Sequence, residues 1–312
     1  MAKQRVGMIG LGIMGSAMAA NLMRAGYRVA GYDPLAGCRR RHRKAGGIVA
    51  RSAAEVAQQA RIVVTSLPSA RALLQVAEEF SSGKKTTAIV VETSTLPIPV
   101  KEAARRRLAR AGIVLLDCPL SGTGAQAKTG DLAVYGSGER AALRKVRPVL
   151  RGFSRAQYEL GAFGNGSKMK FAANLLVAIH NVSAAEAVVL ARRSGLNPAL
   201  AVKVLGDGAG ASRMLQVRGP MMAARRYLPA TMKNEVWQKD MAIIGDFVRK
   251  LGSPAPLFNA TKAIYKATLN GLAKSDTAAV CAVLEAAPRR GLPSPSTRRA
   301  ERRDRRSRPR RR

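Results

Sequence analysis

The sequence is poor in the residues that most often carry metal, redox and disulfide chemistry. Its 312 residues include two histidines, His42 and His180, one tryptophan, six phenylalanines and six tyrosines. Two histidines argue against a His-rich metal centre and against hydride transfer assisted by histidine, so no metal is expected. So few rings leave a core built mainly from aliphatic side chains. Cys38, Cys118 and Cys281 are odd in number, widely spaced and without a Cys-x-x-Cys pair. They offer neither a disulfide framework nor a thiolate cage, and they suit a reducing, cytoplasmic compartment. Acidic residues are scarce as well: 19 stand against 54 Lys and Arg, giving a net charge of +35.

That charge is unevenly spread. Residues 289–312 hold twelve Arg against Glu301 and Asp304, a local +10, which leaves +25 on the remainder. A field of this sign draws in anions such as dinucleotides and carboxylates, and at low salt it also holds nucleic acid without sequence preference. The charge alone does not choose between them. Residues 288–312, dominated by Pro, Ser and Arg and without apolar periodicity, read as a disordered Arg-rich tail with scope for non-specific nucleic-acid contact. Lys3 and Arg5 before the apolar stretch 6–23 superficially resemble a signal peptide, but Gly7, Gly10, Gly12 and Gly15 weaken any such helix. Residues 171–191 include Asn174, His180, Asn181 and Glu186 and read as too polar for a bilayer span, so no membrane contact is expected.

Short aliphatic segments at 5–9, 28–32, 62–66, 89–92, 113–117 and 132–135 read as strands. Helical segments such as 13–25, 70–79 and 99–111 separate them. This alternation predicts a doubly wound parallel sheet covered on both faces. Near residue 163 the pattern changes. No Pro or Gly occurs between residues 167 and 194, which predicts a helix of roughly 40 Å, stopped by Gly195. Further helical stretches at 198–206, 233–251, 254–269 and 276–286 make the second half all-α.

The first strand runs into Gly10-Leu11-Gly12-Ile13-Met14-Gly15, which opens the first helix. In that setting the glycines let the backbone turn sharply and approach a pyrophosphate, with helix N–H groups aimed at its charge. Asp33 lies 18 residues after Gly15, at the end of the second strand. There it accepts hydrogen bonds from the adenosine ribose and repels a 2′-phosphate, which favours NAD over NADP. Two blander readings stand beside this one: a Gly-rich turn that binds nothing, and Asp33 as a simple cap before Pro34. Arg39, Arg40 and Arg41 nearby keep NADP open. On this basis the chain divides into a Rossmann domain (1–163), an all-α domain entered by one long helix (164–287) and the tail (288–312).

With Gly10-Leu-Gly-Ile-Met-Gly15 and then Asn21-Leu22, the start resembles the β-hydroxyacid dehydrogenases, the family that includes 3-hydroxyisobutyrate dehydrogenase. Asp117-Cys-Pro-Leu-Ser121-Gly122-Thr123-Gly-Ala resembles the family's substrate-binding segment. Gly164-Asn-Gly166-Ser-Lys-Met-Lys170-Phe-Ala-Ala-Asn174 resembles its catalytic helix start, and Gln238-Lys239-Asp240 its late Lys-Asp pair. The resemblance covers roughly residues 5–287. It implies a Rossmann domain joined to an all-α domain, assembly as dimers or tetramers, and an oxidoreductase acting on a small β-hydroxy acid. It also implies that Leu67, Pro68 and Thr95 line the cofactor cleft, with Lys239 reaching towards cofactor or substrate. Thr123 stands where many members have Gly, and Ala173 where Asn is frequent.

These residues suit the chemistry in their own right. Oxidising an alcohol by hydride transfer needs a base for the hydroxyl proton. Lys170 is expected in the first turn of the long helix, where the dipole and desolvation both lower its pKa towards neutrality. Asn174, four residues on, shares its face and orients the substrate oxygen. Lys168 points nearly the opposite way. Ser121, Gly122 and Thr123 present hydroxyls and backbone N–H groups suited to a carboxylate. Lys170 as one more surface cation is the plain alternative. For the whole chain, the competing readings are a catalytically inactive Rossmann core that binds nucleic acid through its basic surface, and an imine reductase on a related scaffold.

Overall fold

The computed structural model describes residues 3–287, so the Arg-rich tail expected at 288–312 lies outside the described residues. The first half alternates strand and helix: β1 (Lys3–Ile9), α1 (Ile13–Arg24), β2 (Tyr27–Tyr32), α2 (Ala36–Lys44), β3 (Ile48–Val49), α3 (Ala53–Gln59), β4 (Ile62–Thr65), α4 (Ala70–Ser81), β5 (Ile89–Glu92), α5 (Ile98–Arg110) and β6 (Val114–Asp117). These six strands form one sheet in the order β3-β2-β1-β4-β5-β6, every pairing parallel. The order reverses between β1 and β4, and ligands of such sheets bind at the carboxyl ends of the strands flanking that crevice.

Strand alternation builds a core on each face. Val6, Met8, Val64, Val91 and Leu116 point to the side covered by Met18 and Leu22 of α1, together with Val146 and Leu150. Ile9, Val63, Val90 and Leu115 point to the side covered by α3, α4 and α5. Because both faces are buried, the strands read as unbroken aliphatic runs. Truncating a fully buried leucine such as Leu116 costs about 2–5 kcal/mol.

A correction concerns residues 132–135, expected in the parallel sheet. The chain instead forms β7 (Leu120–Ser121), α6 (Gly124–Thr129), β8 (Ala133–Gly136), α7 (Arg140–Arg151) and β9 (Ala156–Glu159). These strands make a separate three-stranded sheet, with β7 antiparallel and β9 parallel to β8. An antiparallel bridge between Asp117 and Ser137 joins it to the end of β6.

The remainder is helical: α8 (Asn165–Arg193), α9 (Pro198–Asp207), α10 (Arg213–Ala223), α11 (Asn234–Lys250), α12 (Pro256–Ala267), a short α13 (Leu269–Leu272), a 3₁₀ turn (Thr277–Ala279) and α14 (Val280–Ala286). By length and composition alone α8 is apolar enough to cross a bilayer, contrary to the expectation from its polar residues. What distinguishes it is packing: Phe171, Ala178, Val182, Ala185 and Val188 form the centre of a core shared with Leu215, Trp237, Ile244, Phe258 and Tyr265.

Candidate active site

The glycine turn sits at the switch between β1 and β4. Gly10 has φ +87°, and a Cβ there would run into the Ser66 carbonyl; a Cβ on Gly15 would run into the carbonyl of Gly10. Both glycines are therefore demanded by the protein's own packing. Gly12 differs, because a Cβ there meets nothing within 4 Å. No side chain caps α1, and no acid occupies its first turn. The leading N–H groups of α1 and the space above Gly12 thus fit a pyrophosphate. Leu11 is buried beneath the turn, Met14 half-buried, and Ile13 exposed at the rim.

Asp33 is buried, and its carboxylate staples the turn in place. Its Oδ2 accepts from the Leu11 N–H at 2.8 Å and its Oδ1 from the Leu35 N–H at 2.8 Å. The capping reading and the ribose reading thus coexist, since each oxygen keeps a lone pair. Arg39 Nη1 donates to the main-chain oxygens of Asp33 and Pro34 at 2.6 and 2.8 Å. Leu67 is buried and Pro68 exposed at the end of β4. The Leu67 N–H donates to Ser94 Oγ at 2.7 Å, which draws the loops after β4 and β5 together.

The helical half meets this crevice through α8 and α11. Lys239 Nζ donates to the Thr95 carbonyl at 2.9 Å and lies 3.5 Å from Asp240. Asn174 Nδ2 donates to Asp240 Oδ2 at 3.0 Å. Both Asn174 and Asp240 are buried. Lys170 is half-buried on the same face of α8. Because α8 begins at Asn165, Lys170 falls in its second turn rather than the expected first. Its lowered pKa therefore owes little to the helix dipole. Burial pushes it down to about 8, Asp240 opposes that fall and Lys239 reinforces it. Burial raises the Asp240 carboxyl, against the pull of Lys239 and Lys170. Lys168 is exposed and tied to Asn165 Oδ1 at 3.1 Å.

The Ser121–Gly124 loop closes the crevice. A Cβ on Gly124 would come within 2.7 Å of Ile13, so this loop lies against the start of α1. The Ser121 hydroxyl has no protein partner among the described residues. Gly122 adopts φ +136°. Thr123 departs from expectation: it is the N-cap of α6, in a capping box with Gln126 that engages its hydroxyl and its N–H. Its side chain is committed to the fold.

Sequence reasoning missed the anchor of α8. The helix has no side-chain cap of its own at Gly164. Asp117 at the end of β6 supplies one, accepting from Ser167 N at 2.7 Å and Ser167 Oγ at 2.8 Å. Asp117 in turn pairs with Lys101, and Lys101 with Glu92, all fully buried. An acidic residue closing each of two neighbouring aliphatic strands was the available signal.

Comparison with known proteins agrees with this geometry. Residues 5–164 match the NAD binding domain of 6-phosphogluconate dehydrogenase. Residues 164–284 match the NAD-binding family of NADP-dependent 3-hydroxyisobutyrate dehydrogenase. The chain is 33% identical to an L-threonate dehydrogenase of Cupriavidus necator over 84% of its own length and 89% of that protein's. It is 29% identical to the mitochondrial 3-hydroxyisobutyrate dehydrogenase of Mus musculus, over 89% and 86%. The solved structure of the Mycobacterium tuberculosis 3-hydroxyisobutyrate dehydrogenase with L-serine is 28% identical, covering 92% of this chain and all of that one, with a TM-score of 0.81. The glycine turn, the helical half with its Lys-Asp pair and these matches over most of the sequence lead to one conclusion: the chain belongs to the β-hydroxyacid dehydrogenase family and is an NAD(P)-dependent oxidoreductase acting on the CH–OH group of a hydroxy acid.

Proposed function

We propose that the protein interconverts a small β-hydroxy acid and its semialdehyde or keto acid, prefers NAD, and uses Lys170 to move the proton. The observation that carries this reading is the half-buried Lys170 ammonium, brought down to about 8 beside the buried Asn174–Asp240 pair. When bound, the nicotinamide supplies the hydride chemistry. Neutral Lys170 takes the hydroxyl proton during oxidation, and the ammonium returns it during reduction. Asp240 fixes the Asn174 amide and leaves its second N–H for the substrate oxygen. Ser121 Oγ and the backbone N–H of Gly122 receive the carboxylate, with Thr123 shaping the loop. Threonate, 3-hydroxyisobutyrate and L-serine, named in the relatives, each carry a β-hydroxyl and a carboxylate.

NAD is favoured because a carboxylate at Asp33, at the end of β2, would repel a 2′-phosphate, while Arg39 is engaged on main-chain oxygens. The same reading takes residues 1–163 as the dinucleotide-binding domain and 164–287 as the all-α domain. It makes the enzyme a cytoplasmic homodimer or homotetramer. Leu190, Leu196, Leu200 and Val204 are exposed on the helical half and offer apolar surface to a second copy; sedimentation equilibrium measures that state. The functional test pairs three- to five-carbon hydroxy acids with NAD or NADP, following reduced-cofactor absorbance. Lys170→Ala is expected to lower kcat by roughly 10²- to 10⁴-fold, and Lys168→Ala to change it little. A Lys170→Ala enzyme that keeps most of its kcat overturns the reading.

A further inference from the structure

Lys101 is the fourth residue of α5, and its side chain is 0% exposed. Its ammonium donates to Asp117 Oδ1 at 2.8 Å and to the Ser94 carbonyl at 2.7 Å, and forms an ion pair with Glu92 Oε2 at 2.6 Å. Burial pulls its pKa down, but Glu92 and Asp117 together outweigh this and hold the lysine charged, above its ordinary value. A buried charge cluster of this kind is not an economical way to stabilise a core, since apolar side chains of the same volume do as well or better. The question is what the polar arrangement holds.

It holds three walls of the crevice. Glu92 Oε1 accepts from Ser94 N at 2.9 Å, and Ser94 Oγ accepts from Leu67 N at 2.7 Å. Thr95, the next residue, carries the carbonyl that receives Lys239. On the other side, Asp117 grips Ser167 through both its N–H and its hydroxyl, and its Oδ2 also accepts from Ser137 Oγ at 3.2 Å. Ser167 lies three residues before Lys170 on α8, so one ammonium connects the loops after β4 and β5 to the start of that helix.

We infer that Lys101 is a positioning residue for hydride transfer, tying the Leu67–Thr95 side of the cofactor crevice to the root of α8 and so fixing where Lys170 stands relative to the cofactor. The inference rests on the reading of Lys170 as the proton-transfer group. Removing Lys101 alone leaves two buried carboxylates without their cation, so Lys101→Met is expected to lose both melting temperature and kcat. The decisive protein is the double variant Glu92→Gln with Lys101→Met, which restores the original cluster charge of −1 without the bridge. It is expected to recover most of the melting temperature and to bind reduced cofactor, followed by fluorescence titration, within about threefold of the unmodified enzyme. Its kcat should stay down by about 10- to 100-fold, the scale on which ångström misplacement acts. The midpoint of its pH–kcat profile should move up from about 8, because a loosened α8 root lets water reach Lys170. A double variant with recovered stability, unchanged midpoint and near-normal kcat overturns the assignment. One that cannot be obtained folded also overturns it, since the cluster would then be a requirement of the fold alone. Failure of the Lys170 reading is seen separately, as a Lys170→Ala enzyme with intact kcat.

Discussion

The partly desolvated site of Lys170 costs the fold stability at neutral pH. Its pKa of about 8 in the folded protein lies below the ordinary 10.5, so at neutral pH the fold carries an ammonium it has partly desolvated. The unfolded chain therefore binds more protons between these two values, and folding stability gained from this group rises with pH across that window. Lys170→Met should accordingly raise stability at pH 7 by about 1–3 kcal/mol, discounted for its half-buried position, while abolishing turnover. The gain should vanish above about pH 10, where the lysine is neutral in both states. Urea melts at pH 7 and pH 10 read the difference; equal gains at both would contradict the desolvation argument. The same pKa sets the activity profile. On the proposed role of Lys170, oxidation needs the free amine, so its kcat/KM should climb through about pH 8, and reduction, which needs the ammonium, should fall through the same midpoint. Asp33 gives a separate test at this scale: Asp33→Ser should narrow the ratio of kcat/KM for NAD over NADP, and an unmodified enzyme that favours NADP would contradict its assigned part.

At the scale of elements, the two outer glycines of the turn and the middle one do different work. Gly15→Ala drives a methyl into the Gly10 carbonyl, so it should lower the melting temperature sharply. Gly12→Ala meets no protein atom and its φ of −69° suits alanine, so the fold should stand. Cofactor should nevertheless bind at least tenfold more weakly, because the methyl projects where a pyrophosphate approaches. Thermal melts beside cofactor titrations separate the two; a Gly12→Ala protein with normal cofactor affinity would remove the turn from the binding site. This turn was legible because strand, glycines and helix are consecutive in the chain. So were β5 and α8, where aliphatic run or unbroken helical composition matches the final environment. Helix α2 was not legible: its Arg-rich run shows no apolar periodicity, and only Cys38 and His42 face inward. Helix α10 carries Gly219 and Pro220 within it. The Glu92–Lys101–Asp117 cluster was hidden for a different reason, since its members are brought together only by the parallel sheet and the crossover through α5. Thr123 shows the converse case: its hydroxyl was visible, but the capping partner Gln126 that commits it was not considered.

At the scale of the whole molecule, the excess of cations bears on how a carboxylate substrate reaches the crevice. The sequence carries +35 overall and +25 before residue 289, and α7 turns Arg140, Arg144, Arg147 and Arg151 to solvent with no acidic residue among its helical positions. Exposed cations such as these act together as a diffuse field that concentrates anions near the surface. Such a field is screened within about 10 Å at 0.1 M salt and about 3 Å at 1 M. The half-buried Lys170 and the buried groups behind it feel far less of that screening. Raising sodium chloride from low to high concentration should therefore raise KM for the hydroxy acid by about three- to tenfold and leave kcat unchanged. An uncharged amide of the same hydroxy acid, which the field does not attract, should show a KM indifferent to salt. Ser121→Ala separates the local contribution: it should raise KM by a similar factor at every salt concentration, because the hydrogen bond proposed from Ser121 to the carboxylate is not part of the diffuse field. A hydroxy-acid KM that stays flat across the salt series would mean that capture depends on the Ser121–Gly124 loop alone, and that the basic surface has no part in bringing substrate to the site.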